Sequence, residues 1–264
     1  MQDDVRFANN GDVTLAYLVR GEGPVDLVWT NIWYSHLDLL DAHPQVAAVG
    51  EALSRFARVV QWDRRGAGLS DRLPGPATLE EGVDDLLAVM DAAEIERATL
   101  FGFNESAMLC SLAAATHPDR FSSLIIYGGF ATTTRQDDYP WGQEPEDRAL
   151  QVQYLCTNWA TPEVAQMMLM TEDEALISWG VRWQRNSVSR DALPAFYDML
   201  GRTDVRQVLP SIKVPTLILH RKEDQVIHPD NGRYLADHIP GARFVELDGF
   251  QHPPFMGDWE QLVD

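Results

Sequence analysis

Between Ala98 and Ala115 the chain passes from one regular structure to another with no linker. Ala98 to Phe101 is an apolar run of the length of a buried strand, and Glu105 to Ala115 has small and apolar residues on several faces, as a buried helix does. A strand and a helix approach this closely only across small side chains, and Gly102 and Ser106 stand two positions either side of Asn104. The turn drives its tip residue out of both elements. Asn104 occupies that tip in the frame G-x-S-x-G and brings an amide where that frame has a hydroxyl.

At 264 residues and 45% hydrophobic composition, the chain can bury roughly three quarters of the surface exposed on unfolding, enough for one large domain with an insertion. The net charge of -19, with no run among the 21 basic residues, argues against nucleic acid and against an anionic membrane surface. No apolar stretch approaches the roughly 20 residues that span a bilayer, and Met1-Gln2-Asp3-Asp4 is acidic, unlike a signal sequence. A cytoplasmic location is expected. Cys110 and Cys156 are too few for a disulfide framework, and Cys110 reads as a buried, inert thiol. The spacings His36/His43 and His220/His228 do not match helical metal-ligand pairs, so no metal and no cofactor is expected.

Short β-rich runs recur at Val5 to Phe7, Val13 to Val19, Val25 to Trp29, Val59 to Trp62, Ala98 to Phe101, Leu124 to Tyr127, Thr216 to Leu219 and Arg243 to Leu247. Asn9-Asn10-Gly11-Asp12 reads as a hairpin turn, which opens the sheet with an antiparallel pair. Helical segments follow at Gln45 to Phe56, Leu79 to Ala93, Glu105 to Thr116 and Gly232 to His238, with a last one beginning near Asp258. The alternation predicts an α/β fold: an eight-stranded, mostly parallel sheet with helices on both faces. Residues 131–211 interrupt the rhythm without a strand and are expected to form an inserted helical cap on a core of residues 1–130 and 212–264. The insertion is rich in aromatic and methionine side chains, most of them for helix packing and a minority to line an apolar cavity.

The elbow's partners should follow in the order acid, then base. Asp224 follows the seventh strand, and His252 lies in the loop after the eighth, with Glu223 and His228 as local competitors. In such a site the imidazole moves a proton while the carboxylate fixes its tautomer.

These stretches, together with Ser35-His36-Leu37-Asp38-Leu39, Trp62 to Asp71, Thr116 to Arg120, Asp138-Tyr139-Pro140-Trp141-Gly142, Asp204 to Pro210 and Gly232 to Ala236, resemble the α/β-hydrolase superfamily nearly end to end. The resemblance is strongest to the branch found alone or fused ahead of adenylate/guanylate cyclases in actinobacteria. It implies Asn104 at the nucleophile position with Asp224 and His252 as the catalytic partners, and no cyclase chemistry. Related elbows read Ser-Glu-Gly-Gly, against Asn104-Glu105-Ser106-Ala107 here, and the loop after the third strand reads Asn31-Ile32-Trp33 where relatives resemble Pro-Gly-Phe. By position, the amides of Trp33 and Glu105 are expected to form the oxyanion hole, with Ile32 reshaping it. Trp33, Tyr34, Phe103, Tyr139, Trp141 and Phe255 are the expected substrate-binding residues, with Met256 as a further edge. Asp63, Arg64 and Arg65 are expected to tie loops beneath the site. Ser106 lies about 200° round the helix from the tip and reads as a packing residue.

The expected function is hydrolysis of an ester or lactone bond, or of an epoxide, in a small and largely apolar molecule, impaired by Asn104. A dehalogenase is disfavoured because Glu105 stands where a halide-binding tryptophan belongs. Two alternatives remain: a ligand-binding module that has lost catalysis, and a lyase or cofactor-free oxygenase in which His252 and Asp224 act as a general base. The oligomeric state is open, a homodimer included.

Overall fold

The computed structural model describes residues 4–73 and 75–263. The strands are β1 (Arg6–Asn10), β2 (Val13–Arg20), β3 (Val25–Thr30), β4 (Ala57–Trp62), β5 (Ala98–Phe103), β6 (Phe121–Tyr127), β7 (Thr216–Arg221) and β8 (Arg243–Leu247). They form one eight-stranded sheet in the order β1-β2-β4-β3-β5-β6-β7-β8. β1–β2 and β2–β4 pair antiparallel, and every other neighbour is parallel. The opening turn is tighter than the sequence suggested: Asn9 and Asn10 belong to β1, and only Gly11, at φ +59°, and Asp12 make the corner.

Helices α1 (Leu37–Leu40), α2 (Pro44–Ser54), α3 (Leu79–Ala92), α4 (Ser106–Thr116) and α9 (Asp230–His238) belong to the sheet layer. Strand β5 is buried throughout because both faces are covered. Its side chains alternate: Leu100 packs with Leu86, Met90 and Leu109 from α3 and α4, while Phe101 packs with Trp29, Val49 and Leu53 on the other face. Each such side chain contributes about 1.5–3 kcal/mol on burial. Thr78 starts α3 with a reciprocal capping box to Glu81. The expected helix near Asp258 is a short 3-10 turn, Trp259–Leu262.

Between β6 and β7 lie α5 (Pro145–Asn158), α6 (Pro162–Leu169), α7 (Glu174–Ser187) and α8 (Leu193–Arg202). They add no strand to the sheet. They form a cap, held to the loop after β3 and to α1 by indole donors: Trp183 Nε1 to the Tyr34 carbonyl at 2.6 Å and Trp179 Nε1 to the Leu39 carbonyl at 2.8 Å. Phe196 of α8 stacks on Trp33, with centroids 3.6 Å apart. No described helix is long and apolar enough to cross a membrane.

Candidate active site

The elbow is built by exclusion of side chains. A Cβ on Gly102 would lie 2.9 Å from Cys110 Sγ, and one on Gly129 would lie 2.4 Å from the Ala107 Cβ, so β5, β6 and α4 close on each other only with glycine at both positions. Asn104 takes φ +55°, a left-handed conformation that asparagine tolerates better than most residues. Its amide donates to the Tyr127 carbonyl at 3.2 Å. Ser106 is fully buried; its hydroxyl accepts from the Phe103 amide at 2.8 Å and lies 2.9 Å from the Thr30 carbonyl, so it ties β5 to β3 and faces away from the tip. Burial pushes the Cys110 thiol up to about 12, consistent with an inert packing role.

The ends of β7 and β8 bring the acid and base together. His252 Nδ1 donates to Asp224 Oδ2 at 2.7 Å, which leaves Nε2 buried with no hydrogen-bond partner among the described residues. Asp224 Oδ1 accepts the amides of Val226 and Ile227 at 2.8 and 3.0 Å. Burial alone would raise this carboxyl; the facing charge of His252, with hydrogen bonds from His220, His252 and the Ile227 amide, holds it well below the ordinary range. Gly128, at φ +56°, gives the imidazole its space, since a Cβ there would sit 2.9 Å from His252 Cε1. The competitors differ: His228 is exposed on the cavity wall beside Asp230, and Glu223 is exposed, while the carboxylate that His252 meets is that of Asp224.

The Trp33 amide, expected to face the cavity, donates instead to Glu105 Oε1 at 2.7 Å. Glu105 is buried and also meets Arg64 Nη1 at 3.3 Å. Burial lifts its carboxyl to about 7, against the lowering influence of Arg64, the Trp33 amide and its own amide. The side chain of the residue after the tip therefore draws the Trp33 amide, one of the two expected in the oxyanion hole. Below it, Asp63 accepts from Ser35 Oγ at 2.6 Å and from the Leu37 and Leu69 amides at 3.1 and 2.9 Å, as a loop tie.

The pattern of the alpha/beta hydrolase fold matches residues 39–258. The chain belongs to the alpha/beta hydrolase fold family. This hydrolase is similar to the pimeloyl-[acyl-carrier protein] methyl ester esterase of Nitrosomonas europaea, at 25% identity over 92% of this chain and 94% of that protein. It is similar in structure to the enol-lactonase from Burkholderia xenovorans LB400, with a TM-score of 0.75 at 26% identity over 98% of this chain and 96% of the other. The esterase from Exiguobacterium antarcticum shares the fold, with a TM-score of 0.84 at 21% identity over 97% and 96% of the two chains.

Under the hydrolase's cap lies a cavity of about 630 Å³ reached by Asn104, Glu105 and His252. Trp33, Tyr34, Phe103, Trp141 and Phe255 line it. Tyr139 does not: it is fully buried, its hydroxyl donates to Asn231 Oδ1 and accepts from the Ala131 amide at 3.2 Å, and it braces the start of the insertion. Met256 likewise packs in the core next to Trp179 and Leu40. Among the described residues no group of three or more His, Cys, Asp or Glu side chains is placed to hold a metal ion.

Two contributors were missed in the sequence. His220 Nε2 donates to the Ile227 carbonyl at 2.9 Å and lies 3.4 Å from Asp224 Oδ2, so Asp224 faces two histidines. Their four-residue separation at the end of a strand was the available signal. Arg221 is buried; it donates to Tyr127 Oη at 2.9 Å and to the Asp248 and Met256 carbonyls at 2.6 and 2.7 Å, clamping both ends of the His252 loop.

Proposed function

We propose that this alpha/beta hydrolase binds a small, largely apolar ester or lactone beneath its cap, with Asn104 at the nucleophile position and Asp224 and His252 as its catalytic partners. The observation that carries this is the His252–Asp224 bond at 2.7 Å, with His252 Nε2 unpartnered beside the cavity wall that Asn104 also lines. The core and cap boundaries of 131 and 211, and membership of the cyclase-linked branch, belong to the same reading.

An amide cannot give up a proton to His252 and attack a carbonyl as a hydroxyl does. The covalent step is therefore lost. In the serine protease subtilisin, removal of the nucleophilic serine costs about a millionfold in turnover, roughly 8 kcal/mol at the transition state. What this chain retains is a base route. His252 Nε2 takes a proton from water, the hydroxide adds to the substrate carbonyl, and the tetrahedral adduct expels the alkoxide, which recovers the proton from the imidazolium. Water and ester become acid and alcohol, and no bond to the protein forms. Asp224 stabilises the imidazolium during the exchange.

A second reading, general-base chemistry without an oxyanion step, is favoured by one contact: the Trp33 amide is engaged by Glu105. The His252→Ala variant tests both readings of the chain as it stands. Loss of slow nitrophenyl butyrate hydrolysis supports the water route. Unchanged turnover contradicts it, and binding of the ester without product in either protein identifies a ligand-binding module.

A further inference from the structure

The cavity under the cap has one guanidinium on its wall. Arg148, on α5, is the only Arg or Lys among the described lining residues, and Glu105, on the floor beside the elbow, is the only Asp or Glu among them. The chain holds 40 acidic residues against 21 basic ones, and most arginines that are out of solvent find a carboxylate: Arg20 with Asp41, Arg64 with Glu105, Arg65 with Asp85. Arg148 does not. Its Nη1 donates to Thr134 Oγ1 at 2.7 Å, Thr133 Oγ1 at 3.2 Å and the Gly201 carbonyl at 3.3 Å, all neutral acceptors. Its Nε and Nη2 donate to no other described residue.

A guanidinium at the C-terminal end of α8 would satisfy that helix's last carbonyls as a plain cap. That role uses Nη1 alone. Arg221, a buried arginine that likewise has no carboxylate among the described residues, differs: it commits Nε, Nη1 and Nη2 to oxygen acceptors. Arg148 instead keeps the Nε/Nη2 edge, the pair of parallel donors that matches a carboxylate. The backbone accommodates it: a Cβ on Gly201 would lie 2.4 Å from Arg148 Cζ, so the guanidinium rests against bare main chain. Gln151, one turn further along α5, lines the cavity and accepts from Gln143 Nε2 at 2.9 Å, and Thr133 lines it too. This corner is polar in a cavity otherwise dominated by aromatic and methionine side chains.

We propose that the Arg148 corner binds a carboxylate, so that the substrate is an ester or lactone carrying a second, ionised acid group on its acyl or alcohol part. This rests on the ester or lactone reading of the cavity. Arg148 sets the orientation: it attracts the carboxylate to the polar corner beneath the cap, which leaves the ester end at Asn104 and His252.

The test uses Trp33, Trp141, Trp179 and Trp183, all on the cavity wall, as fluorescent reporters. The whole protein is titrated with 4-phenylbutanoate and with its neutral isostere 4-phenylbutanamide. The acid is expected to bind about tenfold to a hundredfold more tightly than the amide, the range of a charge-assisted pair. Arg148→Gln should erase that preference and leave the amide's Kd within about twofold, and Arg148→Lys should restore part of it. Gly201→Ala, which displaces the guanidinium without changing charge, should weaken only the acid, and it keeps the test decisive if Arg148→Gln disturbs the cap. Equal binding of acid and amide by the unaltered protein, or a preference that survives Arg148→Gln, overturns the proposal while leaving the cavity reading intact. Binding of neither ligand overturns the cavity reading itself.

Discussion

The Trp33 amide donates to Glu105 Oε1 at 2.7 Å, across the junction between the loop after β3 and the elbow. The protein's own anion thus engages a donor that the fold would otherwise turn toward a substrate oxygen. Arg64, 3.3 Å away, compensates the buried charge in part. The contact ties the loop after β3 to the elbow through the residue that follows the tip.

Glu105 should make stability depend on pH. Its carboxyl is raised from 4.5 to about 7 in the folded chain, so between these values the folded state holds a proton that the unfolded state has released. Glu105's contribution is therefore best at low pH and falls as pH rises from 4.5 to about 7, by up to about 3 kcal/mol. Urea unfolding of the parent and Glu105→Gln across this window checks it. The difference between the two should drift by that amount, and a constant difference contradicts the assignment.

Asp224 acts in the opposite sense. Held well below its ordinary value of 3.8 by its histidine partners, it stabilises the fold above that value and loses the contribution as pH falls through its lower folded value. Asp224→Asn should flatten the acid limb of the stability curve. His220 acts through Asp224. In an Asn104→Ser background, His220→Gln should lower kcat several-fold and move the acid limb of the pH–rate profile, with KM unchanged; a change in KM alone would mark His220 as structural.

The general fold was legible because its signals are local and periodic: Gly102 and Ser106 around the tip, short β-rich runs separated by helical segments, and Asp224 and His252 in strand order. What remained hidden depends on rotamers and distant loops. Tyr139 has the composition of a cavity residue, yet its hydroxyl is claimed by Asn231, 92 positions away. No spacing rule shows that the Glu105 side chain turns back onto Trp33, 72 positions earlier. Arg221 looks like a strand-end surface residue until the Asp248 and Met256 carbonyls converge on it.

Arg221→Met should be among the more damaging single changes. It removes the donors to Tyr127 Oη and to the Asp248, Met256 and Asp258 carbonyls. Each buried acceptor left unpaired costs about 1–3 kcal/mol, so a loss of at least about 3 kcal/mol is expected in thermal or urea unfolding. A loss below about 1 kcal/mol contradicts the clamp.

The stacked pair Trp33 and Phe196 joins core to cap at 3.6 Å. Phe196→Ala should cost about 3 kcal/mol and weaken binding of neutral aromatic ligands, measured by fluorescence titration. Unchanged affinity would show that this stack does not shape the cavity.

Asn104→Ser bears most directly on the central claim, that the acid and base of a hydrolase site, Asp224 and His252, stand ready beside a tip that lacks its nucleophile. The variant should hydrolyse nitrophenyl butyrate at least about a thousandfold faster than the parent. It should lose about 1 kcal/mol of stability, because serine is less at ease at φ +55°. Asn104→Asp, assayed beside it with styrene oxide, covers the epoxide alternative. If both folded variants stay at the parent's rate on both substrates, the site is not a hydrolase site awaiting its nucleophile, and the account is wrong.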